Sequence, residues 1–275
     1  MAIAPISGGI SSEMDRRGGM AAWTARGPVL VLVPGGFPSG SPAGSRTMSM
    51  GKTVLHREVL DAAQRRVLEL VTAHPDMKSF YLAGGIGLAL QEGHRRSVDL
   101  DFFRESPEGG IPRMTDFRRD FLMGGGKGGI RTEEKGTLHA EIGGIHFSLL
   151  ATPYHLARRL VRLGNLAIAH PVDIGLMKLA AIVQRGSKRD FIDLACILDR
   201  HISLEDLLKL AEKKYPQARD FTVQALKALV YFDDAENERD PVMLDPQYAW
   251  RRVKPFIEER TRKVLPRVLG QNKRS

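Results

Sequence analysis

The hydrophobic rhythm of this 275-residue chain changes twice along its length. Residues 1–50 are rich in Gly, Pro, Ser and Ala with few periodic apolar positions, so they bury too little surface to offset the entropy of ordering. An unstructured arm is expected there, with the short apolar run PVLVLVP at 28–34 inside it. From 53 to about 73, Val54, Val59, Leu60, Ala63, Val67, Leu68 and Val71 recur at helical spacing and predict a leading helix. A short strand follows at 80–83, a turn at Gly84-Gly85, a short helix at 86–91 and a second strand at 98–103. A helix near 117–123, a glycine loop at 124–129 and a hairpin over 136–150 turning at Gly143-Gly144 complete the mixed part. Beyond Pro153 the spacing reads as helical almost to the end, in segments near 154–163, 172–184, 188–199, 203–213, 219–232 and 246–264. The predicted class is α+β: an arm over 1–50, an α/β unit of mixed sheet and helices over 51–170, and a helical unit with a basic end over 171–275.

The chemistry concentrates in LAGGIGLALQEGHRRSVDLDFF at 82–103. Alternate strand residues share a face, so Asp99 and Asp101 project together, and two like charges that close call for a cation between them. Hard carboxylate oxygens on one face suit Mg²⁺ bridging nucleotide phosphates. Gly84 and Gly85 end a strand and open a helix, where missing side chains let a phosphate reach backbone N–H groups. Together these features point to phosphoryl or nucleotidyl transfer. Ser97 shares the aspartates' face and suits a phosphate oxygen. Arg95 and Arg96 read either as phosphate or acceptor contacts or as a solvated turn.

Lys178 lies beside the apolar face of the helix over 172–184, where a lysine either snorkels to water or meets a triphosphate. Asp190 and Asp193, three apart, share a helical face. Asp190 fits three roles: positioning Lys178, activating an acceptor hydroxyl, or pairing with the helix dipole. Lys188 reads as a surface cation.

GGIGLAL, RRSVDLDF and MKLAAIVQRGSKRDFIDL, with YFDDAE at 231–236, resemble the motifs of the AbiEii/AbiGii nucleotidyltransferase toxins, within the DNA polymerase β-like nucleotidyltransferase superfamily. The resemblance runs from about Phe80 to Trp250. It implies Mg²⁺-dependent transfer of a nucleoside monophosphate from an NTP to an acceptor, commonly by the toxin half of an antiphage toxin–antitoxin pair, with RNA such as tRNA, or protein, as acceptor. The family's glycine motif falls on Gly84 and Gly85, and its serine and metal motif on Ser97, Asp99 and Asp101. Its helical lysine falls on Lys178, and its later motif on Arg185, Arg189, Asp190 and Asp193. The chain departs from the pattern at Ile86, where a small hydroxyl residue is usual, and in the superfamily's third carboxylate, for which Glu141 is the candidate.

Charge adds one feature. The formal net charge is +9, and nine Lys and Arg lie in residues 251–275 against Glu258 and Glu259. That end reads as a surface for a phosphate backbone or as a solvated helix face. The single cysteine, Cys196, excludes an intramolecular disulfide and reads as a small core residue in a reducing, cytoplasmic protein. No apolar run is long enough to span a bilayer. GGGKGG at 124–129 follows no clear strand and reads as a mobile loop rather than a dinucleotide fingerprint, and His139 and His146, without further ligands, read as structural or exposed. Removing residues 1–50 is expected to leave the melting temperature within a few degrees of the full chain, as measured by circular dichroism.

Overall fold

The computed structural model describes residues 23–24, 27–28, 55–123 and 128–271, with side chains described from 55 to 266. The arm expected over 1–50 therefore lies outside the described residues, apart from a two-residue antiparallel pairing of Trp23–Thr24 with Gly27–Pro28. The leading helix α1, Ala62–Ala73, starts later than the periodicity predicts. Asp61 accepts from the Gln64 N–H while the Gln64 side chain accepts from the Asp61 N–H, a reciprocal cap that stops the helix extending backwards. Val59 and Leu60 stay buried through a preceding 3-10 turn. Gln64 also donates to the carbonyls of Ser97 (2.8 Å) and Val98, tying α1 to the acidic motif.

Seven strands form one mixed sheet: β1 Tyr81–Leu82, β2 Leu100–Glu105, β3 Gly128–Glu134, β4 Thr137–Ile142, β5 Ile145–Thr152, β6 Val161–Leu163 and β7 Leu166–Ile168. Their order across the sheet is β3-β4-β5-β2-β1-β7-β6. β2 is central, antiparallel to β1 and parallel to β5, which places Asp101 opposite Ser148. The β4–β5 hairpin turns at Gly143 (φ +58°) and Gly144 (φ +83°), as the paired glycines predict, because a two-residue turn of this hand needs positive φ at both positions. The helix expected at 117–123 is a three-residue α turn, Thr115–Phe117, continuing as a π turn through Leu122. Of the expected loop at 124–129, residues 124–127 lie outside the described part, and Gly128 and Gly129 already belong to β3.

The helix expected at 154–163 is absent. Residues 161–168 form the β6–β7 hairpin, turning at Gly164 (φ +58°). Buried Asp173 takes the N–H groups of Ala157 (2.7 Å) and Arg158 (2.9 Å) and an ion pair from Lys214, drawing the backbone out of a helical path. The remaining helices follow the predicted spacing: α2 Gly84–Glu92, α3 Pro171–Arg185, α4 Lys188–Arg200, α5 Leu204–Lys214, α6 Phe221–Ala228 and α7 Trp250–Gln271. Val172, Leu176 and Leu179 of α3 join a core with Phe191, Leu194 and Leu207. On the side of α3 that faces the sheet, Ile174 packs with Tyr81, Phe103 and Leu150. Cys196 is fully buried in the helical core.

Lys188 is not a surface residue. It is buried, its Nζ donates to the Glu238 carbonyl (2.6 Å) and pairs with Asp240 (2.8 Å), and its N–H donates to the Glu238 carboxylate. These bonds anchor residues 238–245, which run back to the acidic motif: the Val242 carbonyl accepts from Arg96 N–H, and Leu244 and Asp245 N–H donate to the His94 carbonyl. Hydrogen bonds to a charged group contribute about 1.5–3 kcal/mol, and Asp240 is exposed, which weakens its share. Lys188→Ala is expected to lower unfolding stability by about 1–3 kcal/mol, read as a fall in the urea midpoint at unchanged slope.

Candidate functional site

Where α3 and the start of α4 pass over the sheet face, they leave a cavity of about 820 Å³. Asp99 and Asp101 lie on its floor, Gly84, Gly85 and Ser97 at one edge, and Lys178, Arg185, Arg189 and Asp190 on its roof. The sheet supplies the carboxylates and the helical part the cations, from residues about 80 positions apart in sequence.

The glycine turn fits against the acidic strand with no room for a side chain. Gly84 has φ +61°, and a Cβ there would stand 2.7 Å from Asp101 Oδ2. A Cβ on Gly85 would collide with Ser97 Oγ and approach Arg95 Nη2 to 2.7 Å. The Ala83 N–H donates to the Asp101 carbonyl (2.9 Å), which registers the start of α2 on β2. The first N–H groups of α2, free of helical partners, therefore open beside a serine hydroxyl and a carboxylate. Ile86, where a hydroxyl residue is usual in the family, is fully buried among Leu82, Leu90 and Leu100; the hydroxyl in this region comes from Ser97.

The roof is organised by Asp193. Completely buried, it accepts from Arg95 Nε and Nη2 (both 2.7 Å) and from His94 Nε2 (2.8 Å), and it pairs with Lys178 Nζ at 2.8 Å. Burial opposes its ionisation, but Arg95 and Lys178 outweigh that and hold the carboxyl well below its usual range. Lys178 Nζ also donates to Asp190 Oδ1 (2.8 Å), and Ser187 Oγ, the α4 cap, donates to Asp190 Oδ2 (2.8 Å). Burial disfavours the ammonium while Asp190 and Asp193 restore it, so Lys178 stays charged. Asp190 is thus placed to hold Lys178. Asp101 is pushed up to about 6, first by burial and then by Asp99 beside it, with Ser148, Lys178 and Arg189 opposing. Such a carboxylate pair, held acidic-face up against open backbone N–H groups, is a donor set that a hard divalent cation would satisfy.

Other sequence candidates are placed differently. Arg95, read as a phosphate contact or a solvated turn, is neither: it is buried and locked to Asp193. Arg96 is exposed and does not line the cavity. Glu141 faces the same side of the sheet as the aspartates, but Arg131 engages it and it is absent from the cavity lining. Its strand is separated from β2 by β5, so the expected third carboxylate is not brought to the aspartates. Among the described residues, no three His, Cys, Asp or Glu groups already converge on one point. His139 and His146, read as structural or exposed, both line the cavity; His146 is exposed and its Nδ1 lies 3.3 Å from Asp99 Oδ1. His146 sits in the hairpin strand that pairs with β2, and His139 in the strand beyond it.

The family model described as nucleotidyl transferase AbiEii toxin, type IV toxin–antitoxin system, matches residues 66–264. The chain belongs to the AbiEii nucleotidyltransferase family. This AbiEii protein is therefore a nucleotidyltransferase, and its match spans the glycine turn, the acidic strand and the lysine helix. It is also 37% identical over 215 residues to an uncharacterised protein of Aquifex aeolicus, covering 75% of this chain and 98% of that one. Among solved structures it is similar to MenT4, a nucleotidyltransferase toxin of Mycobacterium tuberculosis H37Rv (TM-score 0.45, 19% identity, 70% of this chain and 82% of that chain). It is likewise similar to JHP933 of Helicobacter pylori (TM-score 0.42, 15% identity, 80% and 98%). The family assignment rests on the sequence match and not on these structural likenesses.

Two outcomes follow from the opposite environments of the carboxyls. Asp193→Asn leaves Arg95 and Lys178 buried without their anion and is expected to cost about 3–5 kcal/mol in urea unfolding, whereas half-exposed Asp99→Asn should change stability little. Asp101 binds its proton more tightly folded than unfolded, so in chelator its ionisation should erode stability as pH rises from about 4 to about 6. Asp101→Asn should remove that component and raise the melting temperature at pH 7, as a pH series of thermal melts would read.

Proposed function

We propose that this AbiEii enzyme transfers a nucleoside monophosphate from an NTP to a hydroxyl on a nucleic-acid or protein acceptor, with RNA such as tRNA the favoured class. In this reading it acts in the cytoplasm as a toxin counteracted by a cognate antitoxin. The observation that carries the reading is the opposition, across one cavity, of the Asp99–Asp101 pair and glycine turn to the Lys178 ammonium. A triphosphate needs both: N–H donors and cations for its oxygens, and hard-ligand carboxylates for the metal it travels with.

Asp99 and Asp101 would hold Mg²⁺, which when bound neutralises charge on the triphosphate and its departing pyrophosphate. Gly84, Gly85 and Ser97 present backbone N–H and hydroxyl donors to phosphate oxygens. Lys178, kept charged and aimed by Asp190 and Asp193, stabilises the charge that builds on the leaving group. Arg189, at the cavity wall without an ion-pair partner among the described residues, faces the same negative charge. The acceptor hydroxyl oxygen bonds the α-phosphorus and gives up its proton to water, while the bond from the α-phosphorus to the bridging oxygen breaks and pyrophosphate leaves. Asp190, with both oxygens engaged, fits the positioning role better than proton abstraction.

The test is incubation with each α-phosphate-labelled NTP and divalent metal, followed by counting label retained on RNA and on protein. Asp99→Asn and Asp101→Asn should each abolish incorporation while keeping the far-UV spectrum; full activity in Asp101→Asn would overturn the mechanism. Lys178→Ala should lower the single-turnover rate by about 10²–10³-fold.

A further inference from the structure

Across the floor of the cavity runs a line of polar side chains that phosphate binding alone does not call for. The strand register sets Asp101 of β2 opposite Ser148 of β5, Ser148 opposite His139 of β4, and His139 opposite Thr132 of β3. All four line the cavity. The row beside it, Phe103, Leu150 and Thr137, is buried and mostly apolar. The row on the other side contains His146, whose side chain is 64% exposed. The middle row joins a metal-motif carboxylate, through buried Ser148 and half-buried His139, to exposed Thr132.

One arrangement of donors satisfies the whole row. Ser148, 8% exposed, has a single hydroxyl proton, and the register sets it beside the Asp101 carboxylate, whose charged form the hydroxyl favours. His139 Nδ1 lies 3.1 Å from Ser148 Oγ, and in the tautomer with a proton on Nδ1 it donates to the serine lone pair and leaves the serine proton for Asp101. The histidine thereby fixes the rotor of the hydroxyl, and the hydroxyl fixes the carboxylate. On its other side Asp101 abuts Gly84, where the glycine leaves the space that Oδ2 occupies. The carboxylate is clamped between a glycine backbone and a serine hydroxyl.

We infer that Ser148 and His139 are positioning residues that hold Asp101 in the orientation in which it receives a divalent cation. The inference rests on the reading that Asp99 and Asp101 bind the metal. Groups that hydrogen-bond a metal's carboxylate ligands set ligand direction, and their loss typically weakens metal affinity by about 10–100-fold. His139 touches neither metal nor substrate in this role; it acts through Ser148.

The experiment is Mn²⁺ titration of the full chain followed by electron paramagnetic resonance, with thermal melts reporting the fold of each variant. Ser148→Ala and His139→Leu should bind Mn²⁺ about tenfold more weakly than wild type. Ser148→Thr, which keeps the hydroxyl, and His139→Asn, whose amide N–H stands where Nδ1–H does, should retain affinity within about threefold. Wild-type affinity in both Ser148→Ala and His139→Leu, with Asp101→Asn losing binding, overturns the positioning role and spares the metal reading. Wild-type affinity in Asp101→Asn overturns the metal reading itself, and this inference with it. A loss in His139→Asn as large as in His139→Leu, at unchanged melting temperature, removes His139 from the row and leaves Ser148 alone.

Discussion

One buried carboxylate holds this molecule's site together. Asp193 has no access to water, yet it remains ionised because Arg95, Lys178 and His94 occupy its oxygens. Burying any of these charges alone would cost several kcal/mol, so each is tenable only with the others. Arg95 comes from the loop that leads into the acidic strand, and Lys178 from the helix above it. The pairing therefore sets the height of the cavity: the roof cannot lift without exposing a desolvated anion and stranding a buried guanidinium. Lys178 divides its three donors between the structural anion Asp193 and Asp190 at the cavity wall, which is how a core interaction reaches the surface where a nucleotide would sit.

Sequence periodicity recovered most of the helices because their apolar faces recur cleanly and their caps are ordinary: Ser187 before α4 and Ser203 before α5 mark each start. It failed at 154–163, where a spacing that tolerates a helix is overridden by Asp173, a residue whose hold on two backbone N–H groups is set by the fold and not by local pattern. It placed the start of α1 too early for a similar reason, since Val59 and Leu60 are buried by a different turn. The acidic pair and the glycine turn were legible because each is local: two carboxylates two residues apart where a strand begins, two glycines where a helix begins after a strand.

What sequence could not supply was pairing across the sheet. Arg95 and Arg96 are adjacent and chemically alike, yet one is fully buried and the other exposed, and nothing local distinguishes them. Glu141 and the two histidines lie in one hairpin, and the histidines line the cavity while Glu141 on the same strand as His139 is taken up by Arg131, a difference local pattern does not show. Lys188 resembled an exposed cation at a helix start until the segment 238–245 was seen to fold over it.

That segment has a consequence for how such a chain can change over time. Residues 242–245 bond to the backbone of His94 and Arg96, while residues 238–240 are fastened to the first turn of α4. The helical half therefore grips, by its late residues, the loop that precedes the acidic strand. A recombination event that exchanged one half for a relative's, joining anywhere between 105 and 171, would part the loop from the strap that shapes it and Arg95 from Asp193 in one stroke. The two halves are therefore exchangeable only as a pair.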